Sequence, residues 1–263
     1  MSASSPVPLA PRESAVDPLW WSWAGAHGGH VAAVALDAVR ERFPGGAHPV
    51  RTLTTHLLAP VEARPLHVSG TAPATGRRTA TCLFTGHQGG GPVVVGSAVF
   101  GSGRPGPSYD GRQAPGVPAP DDCASLDLPF GLAPFAEQVE IRPASDDRPL
   151  GGGERAELLA WVRFADGRAL DAGAVVTLTD VLPPGLYACW RTARPVPTAE
   201  LTVHFTDALD DGVPEGWALV WMRTAQAGGG WAVDDSEVWS ADGRLLALAR
   251  QARVVQDRSP GRR

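Results

Sequence analysis

The sequence predicts an α+β chain made of two similar halves, each a long helix wrapped by an antiparallel β-sheet. Three observations lead there. A segment too rich in Gly and Pro for a helix or a central strand, "GSGRPGPSYDGRQAPGVPAPDD", divides the chain near its middle. On either side of it one order of elements recurs, a helix with a strong stop and then a series of short strands. The halves also share residues: Leu53-Thr54-Thr55-His56 and Leu201-Thr202-Val203-His204 carry one Leu-Thr-x-His core, in each case after the helix. So long a period excludes a solenoid and argues for duplication of one unit.

Residues 1–16 are Ser/Pro-rich and expected to be mobile, 17–100 form the first domain, 101–125 the linker, 126–255 the second domain and 256–263 a mobile tail. In the first domain "GGHVAAVALDAVRERFPGG" sets Val31, Val34, Ala35, Ala38 and Val39 at helical spacing and stops at Phe43-Pro44-Gly45-Gly46. Four strands follow, "RTLTTHLLAPVE", "PLHVSGTAPAT", "RRTATCLFTGHQ" and "PVVVGSAVFGS". The second domain opens with strands in "FAEQVEIRPAS" and "ERAELLAWVRFADG", although "ERAELLAWV" alone also fits a helix. Its helix is "LDAGAVVTLTDVL", with Asp171 as N-cap and Pro183 forcing Leu182 out of helical geometry. "TAELTVHFTDAL", "GWALVWMRTAQ", "WAVDDSEVWS" and "LLALARQARVV" complete the sheet.

Composition narrows the function. Of 263 residues, 43% are hydrophobic and 19% charged, ordinary values for a globular protein. The net charge is −5, every base is Arg, and no basic stripe invites a phosphate backbone, so no nucleic acid partner is expected. Cys82, Cys123 and Cys189 match neither a disulfide framework nor a zinc pattern and read as free thiols of a reducing compartment. The start lacks the basic and apolar regions of a signal peptide, and no apolar run approaches the ~18 residues of a membrane span, which predicts a cytoplasmic protein without membrane insertion. Exposed sheet edges favour a homo-oligomer.

Among the polar groups, Asp180 in "TLTDVLPPG" ends the second helix, Thr198 in "VPTAELTVHF" opens the next strand and Gln251 in "LLALARQARVV" lies in the last. In these three residues, and in a helix wrapped by antiparallel strands twice over, the chain resembles the type II acyl-CoA thioesterase family. The similarity covers roughly Trp20 to Val255. It implies a tandem (double) hotdog fold, an acyl-CoA substrate, no cofactor or metal, a role in fatty acid metabolism and catalysis by an Asp/Thr/Gln constellation that activates water against the thioester. An Asp-His-Ser step that the family often carries is replaced by Glu200-Leu201-Thr202, and the aromatic residues after the acid by Val181, Leu182 and two prolines.

The residues allow a physical reading of their own. Asp180 falls just past the apolar stripe of Val175, Val176, Thr179 and Leu182, which predicts a partly sheltered carboxylate; the helix C-terminus should make it more basic than a free Asp. An ordinary turn-forming acid is the alternative. Thr198 shares a face with Glu200, Thr202 and His204, either solvated or lining a groove beside the helix. Gln251 shares a face with Leu245, Ala247 and Ala249, where its amide could orient a water or bond to backbone. Gly28, Gly29 and His30 open the first helix, whose free amides suit an oxyanion, although close packing would also require glycines.

Aligning Pro44-Gly45 with Pro184-Gly185 puts Arg40 in the place of Asp180, so one site per chain is expected, with Asp37 a second candidate acid. No Gly-x-Ser-x-Gly elbow, histidine cluster or phosphate loop competes. Trp20, Trp21 and Trp23 suit a lid over an acyl tunnel or the core. A non-catalytic acyl-thioester-binding protein and a hotdog dehydratase or hydratase remain the alternatives; the latter wants an Asp-His pair that only the fold could supply.

Overall fold

The computed structural model describes residues 7–23, 25–43, 47–126 and 134–256. The described strands are β1 (Val7–Ser14), β2 (Val50–Leu57), β3 (Leu66–Thr75), β4 (Thr79–Gln88), β5 (Gly91–Gly101), β6 (Val139–Pro143), β7 (Glu157–Phe164), β8 (Thr198–Phe205), β9 (Ala218–Gly228), β10 (Trp231–Ser240) and β11 (Leu245–Val254). The α-helices are α1 (Gly28–Arg40), α2 (Ala172–Leu178) and the single turn α3 (Leu186–Cys189). "ERAELLAWV" is therefore strand, as its partners on both sides require.

All eleven strands form one antiparallel sheet in the order β1-β3-β4-β5-β2-β8-β11-β10-β9-β7-β6. The order is palindromic about the β2–β8 junction: β1-β3-β4-β5-β2 mirrors β7-β9-β10-β11-β8, and β6 is added at the outer edge. The Leu-Thr-x-His segments are the two strands that meet there, with Thr54 opposite Thr202.

Strand alternation sends one row of residues outward and the next inward. The outward row Thr54, Thr202, Arg250, Asp235, Arg223, Glu157 carries charges of alternating sign from strand to strand. The adjacent inward row is Thr55, Leu201, Gln251, Asp234, Thr224. Apolar inward residues pack with α1 and α2 into one core, and a second small cluster forms around Trp161, Leu219 and Trp239.

Three expectations change. Val7–Ser14, within the N-terminal segment, forms the edge strand β1 on β3; Pro8 and Pro11 disguise it, and both are tolerated at an edge whose register shifts between Leu9 and Arg12. The second helix is not long: α2 has 7 residues against 13 in α1. The Gly/Pro segment lacks helix and strand from Ser102 to Ala119, yet is anchored to the second half by Trp161, whose Nε1 donates to the Pro118 carbonyl at 2.9 Å, and by an Arg112–Glu237 ion pair. The Pro44-Gly45-Gly46 stop and the tail from 257 lie outside the described residues.

The two main helices run antiparallel and touch closely. A Cβ on Gly29 would meet the Thr177 carbonyl at 3.0 Å, and one on Gly173 would meet Asp37 at 3.2 Å. Small residues at both crossings bring the start of α1 against the end of α2.

Candidate active site

Asp180 sits two residues beyond α2 because the helix cannot continue. The Thr179 carbonyl accepts from Ser236 Oγ (2.9 Å) and Gln251 Nε2 (3.3 Å), both reaching across from the sheet. Pro183 and Pro184 bring no N–H to restore the ladder. The chain therefore turns, and Asp180 points into the space between α1, β8 and β11.

The carboxylate is 6% exposed, more deeply buried than the helical stripe predicts, because the start of α1 closes over it. Its Oδ1 accepts from Arg253 Nη2 (2.8 Å), Gln251 Nε2 (3.1 Å) and Thr198 Oγ1 (3.4 Å), and its Oδ2 from the Gly29 amide (2.8 Å). Burial pushes the carboxyl up, but the Arg253 guanidinium and the donors from Gly29 and Gln251 outweigh it and hold Asp180 below its ordinary pKa. The expectation of a more basic Asp is thus reversed. The sequence reveals the negative end of α2 but neither the positive end of α1 nor the arginine on β11.

Arg253 is the site residue that sequence reasoning passed over. Buried on the strand face of Gln251, it contacts Asp180 and also donates from Nη1 to Thr198 Oγ1 (2.9 Å). Its Nε lies 2.8 Å from Asp234 Oδ2, and Asp234 Oδ1 accepts from Thr224 Oγ1 (2.6 Å). The period-two rule that assigned a face to Gln251 also assigns Arg253 to it; a buried charge there was the unexpected part.

His27, immediately before the first glycine, is the second omission. Its Nδ1 accepts from the His30 amide (3.2 Å), which caps α1, and its Nε2 donates to the Asp180 carbonyl (2.9 Å). Burial drives its pKa down despite the neighbouring carboxylate, so the ring is neutral. A histidine at an N-cap, where Ser, Thr, Asp or Asn is the rule, was the available signal.

Gly28, Gly29 and His30 do not act as a set. The Gly29 amide is bound to Asp180 and the His30 amide to His27, while the His30 ring stacks on Trp20 with centroids 5.2 Å apart. Of these three amides only that of Gly28 has no partner among the described residues. Both glycines are also required sterically: a Cβ on Gly28 would lie 2.9 Å from Asp180 Oδ2, and one on Gly29 2.8 Å from Asp180 Cβ.

A cavity of about 680 Å³ opens at Gly28, Asp180, Thr198 and Arg253. Leu57, Leu58, Pro60 and Val61 wall it from the first half; Leu182, Pro183, Pro184, Tyr187, Val196 and Pro197 wall it from the second. Trp23, His27 and Phe135 also line it, whereas Trp20 is core. Gln251 lies behind Asp180 and reaches the cavity only through it.

The counterpart of this cluster in the first half is apolar. Matching the N-caps His27 and Asp171, and the strands at Thr54 and Thr202, equates Asp180 with Leu36, Thr198 with Val50, Gln251 with Ala98, Arg253 with Phe100 and Asp234 with Cys82. All five equivalents are buried. The position of Asp180 is therefore answered by Leu36 rather than Arg40, and Asp37 lies at the opposite end of the helix pair beside Gly173.

The chain matches two families of known proteins, the acyl-CoA thioesterase N-terminal domain over residues 17–101 and the acyl-CoA thioesterase C-terminal domain over residues 120–255. It is similar to a conserved hot dog fold protein of unknown function from Alicyclobacillus acidocaldarius, with 27% identity, 95% of this chain and 94% of that one covered, and a TM-score of 0.85. A candidate thioesterase II from Thermobifida fusca YX shares 22% identity over 97% and 96% of the two chains with a TM-score of 0.80. An acyl-CoA thioesterase II from Mycobacterium marinum shares 22% over 88% and 90% with a TM-score of 0.69. A search among curated proteins finds no match. With the two domain matches spanning most of its length, the chain belongs to the acyl-CoA thioesterase family of enzymes.

Proposed function

We propose that the chain folds as a tandem hotdog pair, domains 17–100 and 126–255, and hydrolyses an acyl-CoA thioester with Asp180 as general base. The observation that carries this reading is a carboxylate with one unused face at the wall of an apolar cavity. Each carboxylate oxygen offers about two lone pairs. Oδ1 receives three donors and is saturated; Oδ2 receives only the Gly29 amide and borders Gly28. A water beside Oδ2 and Thr198 gives its proton to Oδ2 as its oxygen attacks the acyl carbon. The carbonyl becomes an oxyanion facing the Gly28 amide at the positive end of α1. Collapse breaks the C–S bond, and the departing CoA thiolate takes the proton, leaving free acid and thiol.

In this mechanism Gln251 anchors the base instead of holding the water, because its N–H groups go to Asp180 and to the Thr179 carbonyl. Asp180 is ionised throughout the neutral range, and its low pKa makes it a modest base. Thiol release from a chain-length series of acyl-CoAs tests the reading: Asp180→Asn should lose about 10²-fold, near the lower end for a positioned base, and Thr198→Ala less. Equal rates in wild type and both variants would favour a protein that binds acyl thioesters without cleaving them.

A dehydratase reading draws on His27, whose Nε2 lies 3.7 Å from Asp180 Oδ2. Both ring nitrogens are already engaged in holding α1 and the Asp180 turn, which leaves none to exchange a proton with substrate. Hydrolysis is the better account.

A further inference from the structure

Resting on the hydrolase reading above, we propose that Arg253 is the positioning residue of this site: it fixes the rotation of the Asp180 carboxylate and the direction of the Thr198 hydroxyl, and Asp234 in turn fixes Arg253.

The geometry is a fork with two hydrogen bonds and one ion pair. Nη2 reaches Asp180 Oδ1 at 2.8 Å, Nη1 reaches Thr198 Oγ1 at 2.9 Å, and Nε lies 2.8 Å from Asp234 Oδ2. A guanidinium is planar, so two donated hydrogen bonds set its plane, and Asp234 holds its Nε side by charge, without a hydrogen bond. Because Thr198 Oγ1 accepts from Arg253, its own proton is turned toward Asp180 or a water beside it. With Oδ1 saturated, Oδ2 is the face left toward the cavity. Without Arg253 the carboxylate can rotate and exchange its two oxygens.

The fold itself does not need these charges. At the equivalent positions of the first half Phe100 stands for Arg253 and Cys82 for Asp234, both buried in the same kind of sheet. Burying one guanidinium between two carboxylates is costly relative to apolar packing. The second half bears that cost only where the sheet meets the cavity. Arg253 also supplies the main opposition to the burial that would otherwise raise the pKa of Asp180.

The test uses the full chain, octanoyl-CoA thiol release as a function of pH, and ¹³C-carboxyl NMR with the Asp180 signal identified by its loss in Asp180→Asn. Arg253→Lys keeps the charge without the fork; kcat should fall about 10²-fold with KM little changed. In the double variant Arg253→Met/Asp234→Asn, which removes one charge of each sign and so protects folding, the acid limb of kcat/KM should move to higher pH together with the Asp180 carboxyl titration. Wild-type kcat in the lysine variant and an unmoved acid limb in the double variant would overturn the proposal. If the double variant does not fold, the lysine variant decides. If the wild type releases no thiol, the hydrolase reading fails on its own; Asp180 then still reports on Arg253, since an identical carboxyl titration in wild type and the folded variants overturns the positioning role.

Discussion

Thr54 and Thr202 face each other across the seam of the sheet, hydroxyl oxygen to hydroxyl oxygen at 3.0 Å. They are also equivalent residues of the two Leu-Thr-x-His segments, so the local two-fold of the molecule passes between them. A repeat visible in the sequence is therefore the contact that joins the two halves.

This pair should behave as one interaction. Thr202→Val leaves the Thr54 hydroxyl without this partner and should lower stability by about 0.5–1.5 kcal/mol, whereas Thr54→Val leaves Thr202 bonded to Glu200 and should cost less. The double valine variant should cost little more than Thr202→Val, since Thr54 then has no partner left to lose. Urea denaturation of the four proteins checks it, and strict additivity would refute the coupling.

The two glycines at the start of α1 should separate chemistry from packing. Gly29→Ala drives a methyl onto Asp180 Cβ and the Thr177 carbonyl and should destabilise by about 1–3 kcal/mol, as overpacking does. Gly28→Ala places its methyl against Asp180 Oδ2 and the edge of Leu57, beside the open cavity. Its larger effect should fall on kcat. Melting curves and turnover measured on both variants make the comparison.

Acid should loosen the fold before it silences the carboxylate. Burial lowers the His30 pKa from 6.5 to about 4, helped by His27 and opposed by Asp17, and its buried Nε2 has no partner among the described residues. Between those two values the unfolded chain binds a proton that the folded chain does not, so stability falls as pH drops through this window and is unaffected above it. The slope is at most about 1.4 kcal/mol per pH unit for this one group. Urea midpoints from pH 7 to 4 should decline less steeply in His30→Phe than in the wild type; parallel declines would exclude the assignment.

Two arginines three residues apart on β11 should differ sharply. Arg250 lies on the outward row and pairs with Asp235 in solvent, so Arg250→Met should move the urea midpoint little, and less still in high salt. Arg253→Met strips the partner from two buried carboxylates and should cost about 3–5 kcal/mol. Denaturation at low and high salt distinguishes them.

Ten of the eleven described strands were legible from alternation and turn residues; the structure adds the Gly89-Gly90 and Gly229-Gly230 hairpins, whose positive φ at both positions is the signature of such loops. β1 escaped because its prolines suit an edge, and an edge is defined by neighbours that a local pattern does not contain. α2 ended early because Thr179 is claimed by Ser236 and Gln251, residues far away in sequence. The same limit governs the site. Asp180, Thr198 and Gln251 were identifiable through family resemblance, whereas the basicity of Asp180 was misjudged because α1 and Arg253 reach it only through the tertiary fold. Arg253 itself stands two residues from Gln251 on a predicted strand, and a local pattern does not show that an arginine there is buried between two carboxylates.

The cavity takes one wall and its glycine amides from one half, and its acid, hydroxyl and guanidinium from the other. Neither half is an enzyme in miniature. On the proposed hydrolase reading, cutting the chain within the Gly/Pro segment would yield one fragment with the reactive groups and half of the enclosure and another with the other half and nothing to react, and catalysis would return only when the two reassociate along β2 and β8.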